Sequence, residues 1–487
     1  MPKKYLLLAA SVLAVACWNS VGFHQGDEHF QLLEFANYRL GNTPAENLAW
    51  EYAAQMRPGT QPFLVFVVLR ALGAVGLADP FLVALVLRLL SAGLFLYLAV
   101  RVYRNYAPAF ADARWLRWLA LLLLFSWVNV YSGIRFASEN WSGMAFAFGF
   151  LLYPLPIRGA YTLTPRPAEA AGLWKVFAAG LLFGCSFVLR YQMALACVGL
   201  GAWLIFVGRE SPRRLLATVA GGLVVVALGT VADYWLYGEW VNAPWNYLRV
   251  NLVEGKAATF GTQPWWGYFE SIFERGVPPL SLVYLAAIGW FCYRYRRDPL
   301  TWAFVVFFVV HCLLARKDIR FLFPMLPFLP VAIVALARDL HARWGEAAFQ
   351  RSWRRHATTF LWVLNLLLLA SVAVRPMIVE VLAQRYVYYH YNEPLTLLAD
   401  GKHIYTYSNL LIDFYRRPQG VTIVNQDRAE WPGECPTATC LYSEQTRSPN
   451  PPPGAKLVFS TRPAWAEPFN FGGWLDGMRW WYVYELP

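Results

Sequence analysis

Long apolar runs broken by short polar segments set the pattern of this chain. Runs of about 15 to 23 apolar residues recur between Tyr5 and Val374, close to the length a helix needs to cross a bilayer. The first run, Tyr5 to Gly22, follows Lys3 and Lys4, so it reads as an uncleaved signal-anchor that leaves the N-terminus in the cytoplasm. Counting 61–77 as a crossing would put Arg101, Arg104, Arg114 and Arg117 outside. That stretch is therefore expected to be re-entrant or interfacial, with the crossing at 79–100. Further crossings are predicted near 118–134, 141–156, 216–235, 279–293, 301–315, 321–337 and 357–374. A hairpin at 176–190 and 193–207 turns at Arg190-Tyr191-Gln192. Arg158, Arg166, Lys175, Arg209, Arg213, Arg214 and RYRR at 294–297 then face the cytoplasm. The sum is about eleven crossings, with the C-terminus outside.

After Arg375 the apolar runs stop. HIYTYSN, VTIVNQ, KLVFSTR and WWYVYEL read as short strands between Pro and Gly turns. The expected architecture is an α-helical polytopic membrane domain over 1–375, with a first outer loop at 23–60. A small extracytoplasmic α/β domain follows at 376–487, as an acceptor-binding module or a structural cap. No internal repeat of the kind that marks transporter halves is visible.

Composition agrees with the pattern. Hydrophobic residues make up 58% of the chain and charged residues 15%, against roughly 25% charged in a soluble domain. The formal net charge is +12, but its Arg residues cluster between apolar runs, which is a positive-inside pattern and excludes a nucleic-acid surface. Cys17, Cys185, Cys197, Cys292 and Cys312 lie within apolar runs as small hydrophobes. Cys435 and Cys440 sit in the polar segment CPTATC, where a disulfide would imply an oxidising compartment.

Candidate chemistry collects in polar clusters that this topology places on the outer face. FHQGDEHFQLLEF, Phe23 to Phe35, packs His24, Asp27, Glu28, His29, Gln31 and Glu34 together at a lipid boundary. If it is one helix, His24, Asp27, Glu28 and Gln31 share a face. Adjacent carboxylates are costly to hold there without a task. The second cluster is Arg135, Glu139 and Asn140. The 236–270 loop and the VADYW stretch leading into it mix Asp233, Asn246, Arg249 and Asn251 with Trp and Tyr residues, whose faces stack on sugars as well as forming an interfacial belt. ARKDIRF holds Arg316, Lys317, Asp318 and Arg320 where positive-inside bias disfavours cations. A lipid-linked phosphate would account for them through charge-assisted hydrogen bonds. Acids in one cluster and cations in another suggest group transfer from a lipid phosphate.

These segments resemble glycosyltransferase family 22, multi-spanning mannosyltransferases with the GT-C fold. The family's HPDE-type motif, followed by an aromatic, Gln and Glu, is matched by HQGDEHFQLLE, with one residue inserted and the Pro missing. DYWLYGEW, NYLRVNLVEG and FGTQPWWGYF resemble its long-loop region. ARKDIRFLFPMLPF resembles its HKE-x-RF-x-x-P-x-x-PF motif, with Arg316 for His and Asp318 for Glu. RFASENW loosely echoes R-T-x-S-N-S-x-E. The likeness runs in order over about residues 20 to 330 and does not extend past 375.

The resemblance implies inverting transfer of a hexose, mannose by preference, from a polyprenyl-phosphate donor to a glycan or glycolipid acceptor. Asp27 is expected to be the base, with Glu28 orienting the acceptor or serving as the base instead. Arg316, Lys317 and Arg320, assisted by Arg249, would stabilise the departing phosphate. Trp265, Trp266 and Tyr268 would line the sugar site, and His24, Gln31, Arg135 and Asn251 complete the expected substrate contacts. His24 and His29 beside two acids could hold a divalent cation, but the expectation is a reaction without metal or cofactor. A bacterial inner membrane with a periplasmic active site fits the Arg-, Ala- and Leu-rich composition. The alternative from another class is a flippase for a lipid-linked glycan, with the acids as a proton relay.

Overall fold

The computed structural model describes residues 1–156, 162–164, 172–349, 351–417, 420–428, 431 and 435–487. Arg158 and Arg166 of the expected inner loop lie outside the described residues. In chain order the helices begin with α1 (Lys3–Asn19), α2 (Gly26–Phe30), α3 (Leu33–Arg39), α4 (Trp50–Ala53), α5 (Thr60–Ala74) and α6 (Pro80–Phe110). They continue with α7 (Ala113–Phe125), α8 (Trp127–Gly133), α9 (Ser138–Leu152), α10 (Leu173–Leu189), α11 (Ala194–Phe206) and α12 (Pro212–Tyr237). The rest are α13 (Ala243–Leu248), α14 (Gly267–Arg275), α15 (Leu280–Arg294), α16 (Pro299–Leu313), α17 (Leu329–Phe349), α18 (Ser352–Val374) and α19 (Glu380–His390).

This is a multi-pass helical membrane protein, with fewer full-length spans than the apolar pattern predicts. Among the described residues, 4 helices are long and apolar enough to cross, or 5 if α7 and α8, bent by 45° at their junction, count as one. The helix expected near 118–134 is thus bent in two, the form of a broken span or of a re-entrant loop. Thr60–Ala74, Leu173–Leu189, Tyr191–Phe206, Leu280–Arg294 and Pro299–Leu313 are apolar but shorter. At 1.5 Å per residue a 15-residue helix covers only about 22 Å of a hydrocarbon core about 30 Å thick. The helices Leu280–Arg294 and Pro299–Leu313 keep the length of their apolar runs, while Pro80–Phe110, Pro212–Tyr237 and Ser352–Val374 extend beyond theirs.

The chain packs as two compact units. One gathers Met1–Cys17, Ala54–Gln61 and Leu87–Val374; the other gathers Trp18–Ala53, Pro62–Val86 and Arg375–Pro487. Local sequence explains the boundaries in the first unit. Ser211 caps α12 by accepting the Arg214 N–H, Pro212 occupies its first turn, and Gly238 ends it at φ +78. Small residues let α10 and α12 meet closely, since a Cβ on Gly180 would stand 2.1 Å from the Thr218 carbonyl oxygen. A Cβ on Gly143 of α9 would fall 2.4 Å from Cα of Pro324. That approach presses α9 onto the 3₁₀ segment Ile319–Phe328.

The second unit joins Trp18–Ala53 and Pro62–Val86 to the C-terminal region, so the loop read as part of the membrane domain folds with residues after Arg375. The sheet is ordered β4-β1-β5-β7-β6, from β1 (Leu395–Ala399), β4 (Val421–Asn425), β5 (Thr439–Thr446), β6 (Lys456–Ser460) and β7 (Trp480–Glu485). β1 runs parallel to β4 and β5, while β7 is antiparallel to β5 and β6. β2 (Thr406–Tyr407) and β3 (Leu410–Leu411) form a separate hairpin. Ala383 and Val387 of α19 pack with Leu395, Leu397, Trp481 and Val483 in the core. Cys435 and Cys440 form a disulfide.

Candidate active site

In the second unit the acidic motif is divided between two short helices. A continuous helix would put Glu34, seven residues after Asp27, on the same face. The break at Gln31 and Leu32 turns Glu34 inward instead, while Asp27 and Glu28 stay half-buried in the first turn of α2. The expected single face of His24, Asp27, Glu28 and Gln31 is thereby corrected. His24 precedes α2, and buried Gln31 donates from its amide to Glu51 at 3.1 Å. Gln31 is committed to that contact rather than open to substrate.

The adjacent carboxylates are not equivalent. Glu28 reaches back as a helix cap, its carboxylate accepting the His24 backbone N–H at 2.8 Å. His29 is fully buried between the rings of Phe23 and Tyr415, at 4.9 and 5.5 Å. Its Nε2 lies 2.9 Å from the buried Glu34 carboxylate, which commits that nitrogen to Glu34. Among the described residues, no group of three or more His, Cys, Asp and Glu side chains could hold a metal.

In the first unit a charge cluster forms where α9, the end of α10 and the RKDIRF segment meet. Glu139, buried in the first turn of α9, places one carboxylate oxygen 3.0 Å from Arg190 Nη1 and 3.3 Å from Arg320 Nη1. Arg190 also donates to the Ser138 hydroxyl at 2.9 Å, and Arg320 Nε to Asp318 at 3.1 Å. Arg320, expected as a phosphate ligand, is thus neutralised by two carboxylates. Asp318 additionally accepts the Arg320 backbone N–H and so starts the 3₁₀ segment.

Lys317 is different. Its side chain is 4% exposed, and its ammonium donates to the carbonyl oxygens of Gln263 at 3.0 Å and Leu314 at 2.7 Å. No carboxylate pairs with it among the described residues. Burial pulls its pKa below the ordinary lysine value. Arg316 is half-buried and donates to the Phe260 carbonyl.

The remaining expected contacts are sorted by burial. Trp265 and Trp266 are exposed, with ring centroids 5.7 Å apart and planes at 90°. Tyr268 is fully buried and its ring lies 6.2 Å from that of Phe308. Arg135 is buried with its guanidinium over the Tyr131 ring at 5.5 Å. Arg249 pairs with Glu254 at 3.3 Å, and Asn251 donates to the Tyr247 carbonyl at 3.0 Å. That bond lies within the loop's own helical turn.

Arg190 was read from the sequence only as part of a hairpin turn, Glu34 only as a member of the acidic cluster, and His29 only as a possible cation ligand. Arg190 had a visible signal, a lone cation between two apolar runs. Glu34 had none that separates it from its neighbours, because only the break after α2 decides which carboxylate turns inward.

Comparison with known proteins places this geometry among glycosyltransferases. The sequence pattern of the Alg9-like mannosyltransferase family matches residues 4–422. GPI alpha-1,2-mannosyltransferase 3 of Homo sapiens is 23% identical over 376 residues, covering 75% of this chain and 61% of that protein. GPI mannosyltransferase 3 of Yarrowia lipolytica is 28% identical over 318 residues, covering 64% and 57%. The chain therefore spans about three fifths of the length of these relatives. ArnT from Cupriavidus metallidurans, solved bound to undecaprenyl phosphate, superposes with a TM-score of 0.51 at 12% identity, over 98% of this chain and 97% of that one. That likeness establishes the shared GT-C fold.

Proposed function

Since the chain belongs to the Alg9-like mannosyltransferase family, we propose that it transfers mannose from a polyprenyl-phosphate carrier to a glycan or glycolipid acceptor, with inversion at the anomeric carbon. The acceptor oxygen attacks C1, its proton passes to Asp27, and the bond from C1 to the phosphate oxygen breaks. The electron pair leaves with the polyprenyl phosphate. Asp27 is the base in this reading, and Glu28, whose carboxylate accepts the His24 N–H, closes the turn on which Asp27 stands. The step as written uses side chains alone, without metal or cofactor.

The observation that carries this reading is Lys317. Among the described residues its ammonium meets carbonyl oxygens and no carboxylate, so its charge is left uncompensated for an anion. Arg316 adds a second cation, and Arg249, paired with Glu254, would assist only on leaving that partner, while Trp265 and Trp266 offer faces for the sugar. ArnT, which shares the fold, was solved with undecaprenyl phosphate, and this supports a polyprenyl-linked donor. Membership of a transferase family weighs against the flippase alternative.

The Cys435–Cys440 disulfide favours an oxidising compartment for the C-terminal region, in keeping with a periplasmic face of a bacterial inner membrane. The deciding experiment is donor affinity in nanodiscs. Lys317→Ala is expected to weaken polyprenyl-phosphate mannose binding by about tenfold or more, the scale of one charge-assisted hydrogen bond. Unchanged affinity would remove Lys317 from the site.

A further inference from the structure

The helix bearing Asp27 is too short to hold itself. α2 has 5 residues, and its N-cap, Gln25, makes no side-chain cap hydrogen bond. A single turn is unstable alone, so the direction of the Asp27 carboxylate must come from tertiary contacts. Two residues on, His29 is locked against Glu34. Glu34 is fully buried and accepts more than His29. The Thr43 hydroxyl donates to it at 2.7 Å, the backbone N–H of Asp413 at 2.8 Å and that of Phe414 at 2.9 Å.

The same C-terminal segment grips the loop elsewhere. Asn47 donates to the Asp413 carboxylate at 2.7 Å, and that carboxylate also pairs with Arg416. The Tyr407 ring meets Phe23 at 4.9 Å and Phe30 at 6.0 Å. All these residues belong to one compact unit.

We infer that Glu34 is the positioning residue for Asp27, and that Asp413 and Phe414 complete the catalytic loop by holding the Glu34 carboxylate through their backbone N–H groups. The C-terminal region is then neither a detachable acceptor module nor a passive cap. It is part of the machinery that aims the base. This rests on Asp27 being that base.

The test uses the full chain in nanodiscs and compares Glu34→Gln, Thr43→Val and Asp27→Asn. Glu34→Gln keeps the shape but removes the charge that draws the N–H donors together. It is expected to lower kcat at least tenfold with donor KM within twofold of wild type, and to speed amide exchange at Asp413 and Phe414. A change in thermal stability alone, with kcat unmoved, would overturn the positioning role. If Glu34→Gln does not fold, Thr43→Val decides, since it removes one donor and leaves the others. A kcat reduced severalfold at unchanged donor KM supports the inference, and an unchanged kcat rejects it. Turnover by Asp27→Asn would strike the base assignment itself. The exchange rates at Asp413 and Phe414 separate that failure from a failure of the Glu34 latch.

Discussion

At Glu139 one carboxylate oxygen meets two guanidinium groups within a buried cluster. Removing one partner from such a set leaves charge uncompensated, at a cost of about 3–5 kcal/mol. Glu139→Gln should therefore lower the thermal midpoint and disturb Arg190 and Arg320 together; an unchanged midpoint would show that the cluster is not structural. Lys317 sets a pH dependence of definite sign. Its lowered pKa means that it loses its proton at a lower pH than the ordinary value near 10.4. Donor affinity should fall as pH rises through that lowered value, and Lys317→Arg should shift the fall to higher pH. Titration of donor binding from neutral to alkaline pH reads this directly. At this scale the sequence named Lys317 and Asp27 because their residue types are unusual where they stand. It did not rank Arg320 below Lys317, since pairing with Glu139 is made by contact between distant segments.

Helix placement carries the next layer. Gly143 lets α9 close on Pro324, and that contact brings Glu139 to Arg320. Gly143→Val should cost about 1–3 kcal/mol through overpacking and reduce turnover through the displaced cluster, read as a lower thermal midpoint with lower kcat. Retention of both would mean that α9 is free to move. In the C-terminal region, burial pushes the His403 pKa down to about 4, with the nearby Arg416 charge adding to it. The unfolded chain then binds the proton first, near pH 6.5. Stability contributed by neutral His403 is present above that value and is lost as pH falls from about 6.5 towards 4. The helices and the strands β4, β6 and β7 were legible because apolar runs and β-rich segments have clear periods. The α2–α3 break was not, since both its sides are equally amphipathic. Nor were β1 and β5 read as strands. β1 is buried along its whole length, so it lacks the alternation that marks a half-exposed strand.

For the whole molecule, the apolar pattern and ordered motifs were enough to indicate a multi-spanning transferase, and the family match over residues 4–422 agrees. What they did not indicate is that the segment Trp18–Ala53 folds with the C-terminal region in one unit. Such a pairing joins residues hundreds of positions apart, and neither stretch carries a local mark of the other. The central claim is that Asp27 drives transfer from a polyprenyl-phosphate sugar. The direct measurement is release of polyprenyl phosphate from a short-chain polyprenyl-phosphate mannose by purified protein in nanodiscs, wild type against Asp27→Asn, with a glycolipid acceptor extract present. The account predicts release by wild type, and at least a hundredfold less by Asp27→Asn at unchanged donor affinity. Equal release by both proteins would contradict it.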